Sequence, residues 1–266
     1  MVRIKAFRAV SDFEGSQKFI EGHRRVLTSI GVTKISSAKH EWAYNPAAFV
    51  ILVESLEDGR ALGGARIQAV GGFQPLPIEE AVGDFDNKIY DLVEKYQING
   101  TGELCGLWNS VEVAGLGIGS VFLIRSAVTI ASQIGLNTLF ALCSPYTTRM
   151  AANYGFQVEK SIGNNGTFYY PKLNLLATVT FLPDSGKLLG MNPIEQERIF
   201  DLRRNPNQRV LEISKRANLD NSTKGEILIE YELAIPGADC NEFKTAPQKS
   251  LHKLSPTPKI YASECL

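Results

Sequence analysis

Hydrophobic and polar positions along the chain follow two alternating periods. Residues 2–7 alternate as a strand does. Phe19, Ile20, His23, Val26, Leu27 and Ile30 then recur on one helical face across 12–30, with Gly31 as the stop. Residues 49–54 and 61–70 read as a hairpin turning at Asp58 and Gly59. A Gly- and Pro-rich loop, 71–77, leads into a helix with Val82, Phe85, Ile89, Leu92, Val93 and Tyr96 at helical spacing.

The next stretch, 102–156, organises the rest. A strand-like run at 103–108 precedes Ala114, Gly115, Leu116, Gly117, Ile118, Gly119 and Ser120. Residues 121–134 are apolar nearly all round, as in a helix buried against a sheet, and Gly135 ends them. That segment is too short and too polar to span a membrane. Residues 139–143 read as a buried strand, Ser144 and Pro145 as the cap and first residue of a short helix, and Gly155 as its end.

Beyond it, 157–160 and 173–182 are strand-like around a turn at 163–166, and 195–204 is a charged helix stopped by Pro206. Residues 226–233 form one more strand. Alternating strands and helices predict an α/β (α+β) fold. The expected organisation is a domain over 1–182, a helix-strand extension over 183–236 and a loosely attached tail over 237–266.

Three alternating glycines between a strand and a helix carry the main chemical signal. A helix start leaves N–H groups without intrahelical partners and holds a partial positive charge, so it suits an anion. Glycine lets a ligand approach that backbone without meeting a Cβ. The spacing is neither the dinucleotide fingerprint nor the nucleotide-binding loop that needs Lys after the last glycine. A tight strand-to-helix turn is the simpler structural reading of the same residues.

Composition narrows the classes. The 266 residues are 44% hydrophobic and 21% charged, and 28 basic residues balance 28 acidic ones. No basic excess points to nucleic acid or an acidic membrane surface. Cys105, Cys143, Cys240 and Cys265 form no C-x-x-C pair, and His23, His40 and His252 are scattered, so no metal is expected. The start of the chain has no signal-peptide pattern, which predicts a cytoplasmic protein.

The segment resembles the GNAT superfamily of acyltransferases, whose signature is a strand, [RQ]-x-x-G-x-[GA], a helix, a strand, and a helix ending in Gly-Phe. Ala114 takes the Arg/Gln position, Gly117 and Gly119 the two glycines, and Gly155 and Phe156 the closing pair, over roughly 1–181. The resemblance implies a mixed, mostly antiparallel sheet flanked by helices, with a V-shaped cleft between two splayed central strands. It implies acetyl-CoA or acyl-CoA as co-substrate, its diphosphate on backbone N–H groups at 114–120 because Ala114 has no side-chain donor. The family's frequent general-acid Tyr is replaced by Ala151.

A narrower similarity links 59–67, with Leu76 and Pro77, and 102–105 to the acyl-homoserine-lactone synthase and N-acyl amino acid synthase branch, Gly106 replacing that branch's Arg. It implies a longer acyl donor, including the phosphopantetheine thioester of an acyl carrier protein. An acidic carrier needs a basic patch, for which Arg3, Lys5, Arg8, Lys39 and Arg60 are available.

The reaction expected is acyl transfer to an amine of a small molecule. Glu103 is the candidate base and Tyr146 the candidate acid. Backbone N–H groups near Asn109, Val111 and Val113 are expected to polarise the thioester carbonyl, with Arg66, Trp108 and Ser144 contacting substrate. Arg66 reads equally as a surface residue of a half-exposed strand, Glu103 as a structural carboxylate, and Tyr146 as a packed aromatic. A non-catalytic protein that binds an acyl ligand on the same fold is the other class left open.

Overall fold

A computed structural model describes residues 1–32, 40–172, 174–213 and 226–238. Ten strands form one mixed sheet: β1 (Val2–Arg8), β2 (Ala48–Ser55), β3 (Ala61–Ala69), β4 (Thr101–Asn109), β5 (Thr138–Cys143), β6 (Gln157–Val158), β7 (Thr167–Tyr169), β8 (Leu176–Leu182), β9 (Asn207–Ile213) and β10 (Glu226–Glu232). Their order is β6-β8-β5-β4-β3-β2-β1-β10-β9, with β7 also on β8. Pairing is antiparallel except for β4 with β5 and β1 with β10. β9 and β10, from the segment after 182, thus extend the same sheet beyond β1.

Among the described residues six α-helices cover the faces: α1 (Phe13–Ser29), α2 (Pro77–Val82), α3 (Lys88–Gln97), α4 (Leu123–Ala131), α5 (Pro145–Ala152) and α6 (Pro193–Arg204). Their starts follow capping chemistry. Asp12 accepts from the Gly15 N–H at 2.7 Å, Ser144 from the Thr147 N–H at 3.3 Å, and Asn192 from the Ile194 N–H at 3.0 Å, with Pro as first residue of α5 and α6.

The helix expected after the 71–77 loop is instead two, α2 and α3. α2 ends at Gly83, whose Cα lies so close to the Tyr90 hydroxyl that no Cβ fits, and Phe85 between the two helices is exposed. The helix expected at 121–134 also differs. Its first turn is a wide π-helical one, Ile118–Phe122, and α4 starts at Leu123.

Strand alternation divides the core. Ala65, Ile67 and Leu104 face α4, with Ile124, Val128 and Ala131 against them. Phe19 and Ile20 of α1 cover the other face, together with Trp42, Val50, Leu52 and Trp108. α2 and α3 close that second face further along, over Phe140 and Val179. The site lies between α1, α4 and α5, where β4 and β5 part. Residues 33–39, 173, 214–225 and 239–266 lie outside the described residues, and with them Lys39, Cys240, His252, Cys265 and nearly all of the expected tail.

Candidate functional site

β4 and β5 share a ladder for only three pairs: Thr101 with Thr138, Gly102 with Leu139, and Glu103 with Phe140. β4 runs on to Asn109 and β5 to Cys143, so their C-terminal halves splay. Between them is a cleft of about 280 Å³. Leu104, Cys105, Gly106 and Leu107 form one wall and Ala141, Leu142 and Cys143 the other; Ile124, Thr147, Ala151 and Phe156 complete it. A buried backbone N–H or C=O left unpaired costs about 1–3 kcal/mol, so two parted strands favour a ligand that carries amides of its own.

β4 is further deformed on its β3 side. Gly64 pairs with Trp108 and Arg66 with Cys105, so Gly106 and Leu107 together oppose Ala65. Gly106 takes φ 60°, a conformation that glycine adopts without strain, and the ladder is broken by this bulge. Glycine inside a strand pattern is the sequence signal for such a bulge.

The glycine loop follows the end of β4, with Gly119 against Asn109, the last residue of that strand. Gly115 and Gly117 have φ 81° and 85°. The Gly117 carbonyl accepts from the Val121 N–H at 2.7 Å and the Phe122 N–H at 3.1 Å, so the N–H groups of Ile118, Gly119 and Ser120 precede the first intrahelical bond. Ile118 is buried, whereas Ala114 and Gly115 are exposed, and Leu116, Gly117 and Gly119 are half-buried. The Tyr154 hydroxyl donates to the Val121 carbonyl at 3.0 Å and ties the end of α5 to this turn.

Asn109, Val111 and Val113 stand elsewhere. The Asn109 side-chain amide donates to the Ser110 carbonyl at 3.0 Å, Val111 is 87% exposed, and Val113 is buried with its N–H on the Ser110 carbonyl at 3.3 Å. The Val113 N–H is thus engaged in a local turn.

Glu103 is 2% exposed and lines neither of the cavities described. Its Oε2 accepts from the Ile78 N–H at 2.6 Å, and burial pushes its pKa up to about 8 against the opposing pull of that hydrogen bond and of Arg66. Arg66 is 1% exposed rather than a surface residue; it donates to Gln68 and stacks on Trp42 at 4.7 Å. Gln68 in turn donates to the Pro75 carbonyl at 2.7 Å, so the 71–77 loop is fastened to the sheet.

Trp108 is packed against Gly22 and Phe19 and also lines neither cavity. Ser144 lines the cleft as the cap of α5. Tyr146, in the first turn of α5, is 60% exposed and outside the cleft lining. The Cys105 thiol is pushed up to about 12 and that of Cys143 is raised, in both cases by burial first. Both are neutral wall residues.

A second cavity of about 310 Å³ adjoins the cleft under α1, lined by Phe19, Ile20, Leu27, Val32 and Trp42 with Arg24 and His40 at its edge. His23 and Leu27 line both cavities. The sequence had placed His23 only on a helix face, since its neighbours across the cleft come from β4, some 80 residues on.

Of the basic residues available for an acidic carrier, Arg3 pairs with Glu230 and Glu232, Lys5 with Asp12 and Glu54, and Arg60 with Asp58 and Glu112. Arg8 donates to the Pro46 and Gly237 carbonyls. Among the described residues no three His, Cys, Asp or Glu side chains are grouped to hold a metal ion, and no helix is long and apolar enough to cross a membrane.

No family model matches the chain, and no curated protein matches it. Solved structures do. FeeM, an N-acyl amino acid synthase from uncultured soil microbes, aligns with TM-score 0.55 at 14% identity over 74% of this chain and 98% of its own. BjaI, a CoA-dependent acyl-homoserine lactone synthase, gives 0.46 at 14% identity over 75% and 90%. A putative N-acetyltransferase from Lactobacillus plantarum gives 0.44 at 10% identity over 68% and 96%. The sheet order, the parted central strands and the likeness to FeeM together identify the architecture as the GNAT acyltransferase fold.

Proposed function

We propose that the protein is an N-acyltransferase that passes an acyl group from a coenzyme A thioester to an amine on a small molecule. The observation that carries this reading is the parting of β4 and β5 after Glu103 and Phe140, with a glycine-rich helix start following the end of β4. In this arrangement the N–H groups of Gly117, Ile118, Gly119 and Ser120 hold the diphosphate. The pantetheine arm, which carries amides, lies between the strands and occupies their unpaired backbone groups. The thioester then reaches the Gly106–Leu107 bulge, whose freed backbone polarises the carbonyl.

The walls beyond the bulge are apolar and suit an acyl chain longer than acetyl. The acceptor enters from the α1 cavity, where an apolar floor and the Arg24 and His40 edge suit an amine that also carries a carboxylate. An amino acid has both groups, and FeeM is by its name an N-acyl amino acid synthase. Glu103 is a positioning residue in this scheme, holding the start of α2 and facing the Arg66 guanidinium. Coenzyme A is favoured over a carrier protein because Arg3, Lys5, Arg8 and Arg60 are engaged within the chain.

The test is thiol release from acetyl-CoA, octanoyl-CoA and octanoyl-acyl carrier protein, each with a panel of amino acids. Release from octanoyl-CoA that depends on the amino acid is expected. Binding of acyl-CoA with no release for any amine points to a non-catalytic acyl-ligand protein instead.

A further inference from the structure

The two cavities share two side chains, Leu27 and His23, and of these only His23 can carry a proton. It is 6% exposed, on the inner face of α1, with the Phe19 ring at 5.8 Å on one side. Across the cleft is the bulge of β4, where a Cβ on Gly106 would lie 3.7 Å from His23 Cε1. The imidazole therefore faces bare backbone at the point where β4 leaves its ladder. Among the described residues the His23 side chain makes no hydrogen bond, and its ring lines both cavities. Its nitrogens are left for something that enters the cavities.

We propose that His23 is a catalytic residue of the acyl transfer described above, on which this inference rests: its neutral imidazole takes the proton from the attacking nitrogen and returns it to the departing sulfur. The acceptor enters as the free amine, having lost one proton to solvent. Its nitrogen attacks the thioester carbon, the C–N bond forms as the C=O π pair moves to oxygen, and the nitrogen becomes cationic and strongly acidic. His23 takes that proton. The oxyanion pair re-forms the C=O bond, the C–S bond breaks with its electron pair going to sulfur, and the imidazolium protonates the thiolate. Amide and free thiol leave, and His23 is neutral again. One group thereby serves as base and acid in a chain that has Ala151 in place of a tyrosine acid.

The surroundings agree with a neutral resting state. Burial first, then the positive charge of Arg66 on β3 and of His40, lowers the His23 pKa to about 4. Arg24 stands at the cavity edge on the same helix, and the thiols of Cys105 on β4 and Cys143 on β5 are protonated. Glu103, on the same strand face as Cys105, has its Oε2 on the Ile78 N–H and lines neither cavity.

The experiment compares wild type with His23→Gln and His23→Asn, using octanoyl-CoA and two kinds of nucleophile. One is the amino acid that supports the fastest release in the wild type. The other is hydroxylamine, which is largely unprotonated at neutral pH and needs little help from a base. Transfer to the amino acid is expected to fall about 10²- to 10⁴-fold in kcat and transfer to hydroxylamine by a clearly smaller factor, that of the lost acid alone, with coenzyme A affinity close to wild type. Equal losses for both nucleophiles, or no loss for the amino acid in a variant that still binds coenzyme A, overturn the role of His23 and leave the acyltransferase reading standing. No thiol release by the wild type with any amine overturns both.

Discussion

The side chain of Asn109 lies against Gly119 so closely that a Cβ at 119 would be 2.0 Å from Asn109 Oδ1 and 2.9 Å from its Cβ. The end of β4 and the first turn before α4 are thus locked together, which fixes the glycine loop against the end of β4. Rotating the Asn109 amide does not clear the clash, because its Cβ is also in the way. Gly119→Ala is expected to cost about 1–3 kcal/mol as an overpacked contact. The proposal adds that it raises the dissociation constant for coenzyme A. Calorimetric titration together with a melting curve checks both.

Glu103 gives a pH signature. Its folded pKa, about 8, lies above the ordinary carboxylate value of 4.5, so the folded state holds the proton more tightly than the unfolded chain. Stability from this group is greatest below the unfolded value and is lost as pH rises through about 8. Each pKa unit corresponds to about 1.4 kcal/mol, so the loss is a few kcal/mol. Glu103→Gln removes the titration. Urea unfolding between pH 5 and 9 is expected to show wild type weakening relative to the variant, and parallel curves contradict the assignment.

Arg125 of α4 joins two other elements. Its Nε and Nη2 donate to Glu195 of α6 at 2.8 and 3.0 Å, and its Nη1 donates to Glu212 of β9. Removing the cation leaves two largely buried carboxylates without it. Arg125→Met is expected to destabilise the fold by about 3–5 kcal/mol, and adding Glu195→Gln and Glu212→Gln to recover much of that. Denaturant midpoints of the single and triple variants measure it.

Ala151 is a buried wall of the cleft, beside Ile124 and Phe156. Leucine at this position extends into the space assigned to the acyl chain. Ala151→Leu is expected to raise KM for octanoyl-CoA through a penalty of about 1–3 kcal/mol and to leave acetyl-CoA unaffected. Steady-state thiol release with the two donors distinguishes this from a general loss of folding.

Much of the fold was legible because local pattern and tertiary packing agree. The alternation at the start of the chain, the Asp58–Gly59 turn and the Ser144–Pro145 cap each predict the element found there. Gly83 shows where local spacing misleads: the apolar period runs through it, but the helix stops there and starts again at Lys88, with the Tyr90 hydroxyl packed back on Gly83. β9 was not anticipated, since Gln208, Val210 and Glu212 become a strand only by pairing with β10. The candidate site was legible in part. Glycines at 115, 117 and 119 announce a loop, whereas the meeting of His23 with Gly106 depends on where α1 packs.

The central claim is that main-chain N–H groups at the glycine loop bind the diphosphate of coenzyme A. It is tested most directly by following backbone amide resonances of the ¹⁵N-labelled protein during titration with coenzyme A. Saturable shifts are predicted at Gly117, Ile118, Gly119 and Ser120, with Leu104 to Leu107 and Ala141 to Cys143 moving in the same titration. Resonances of the loop that stay fixed while coenzyme A binds elsewhere, or does not bind, contradict the account.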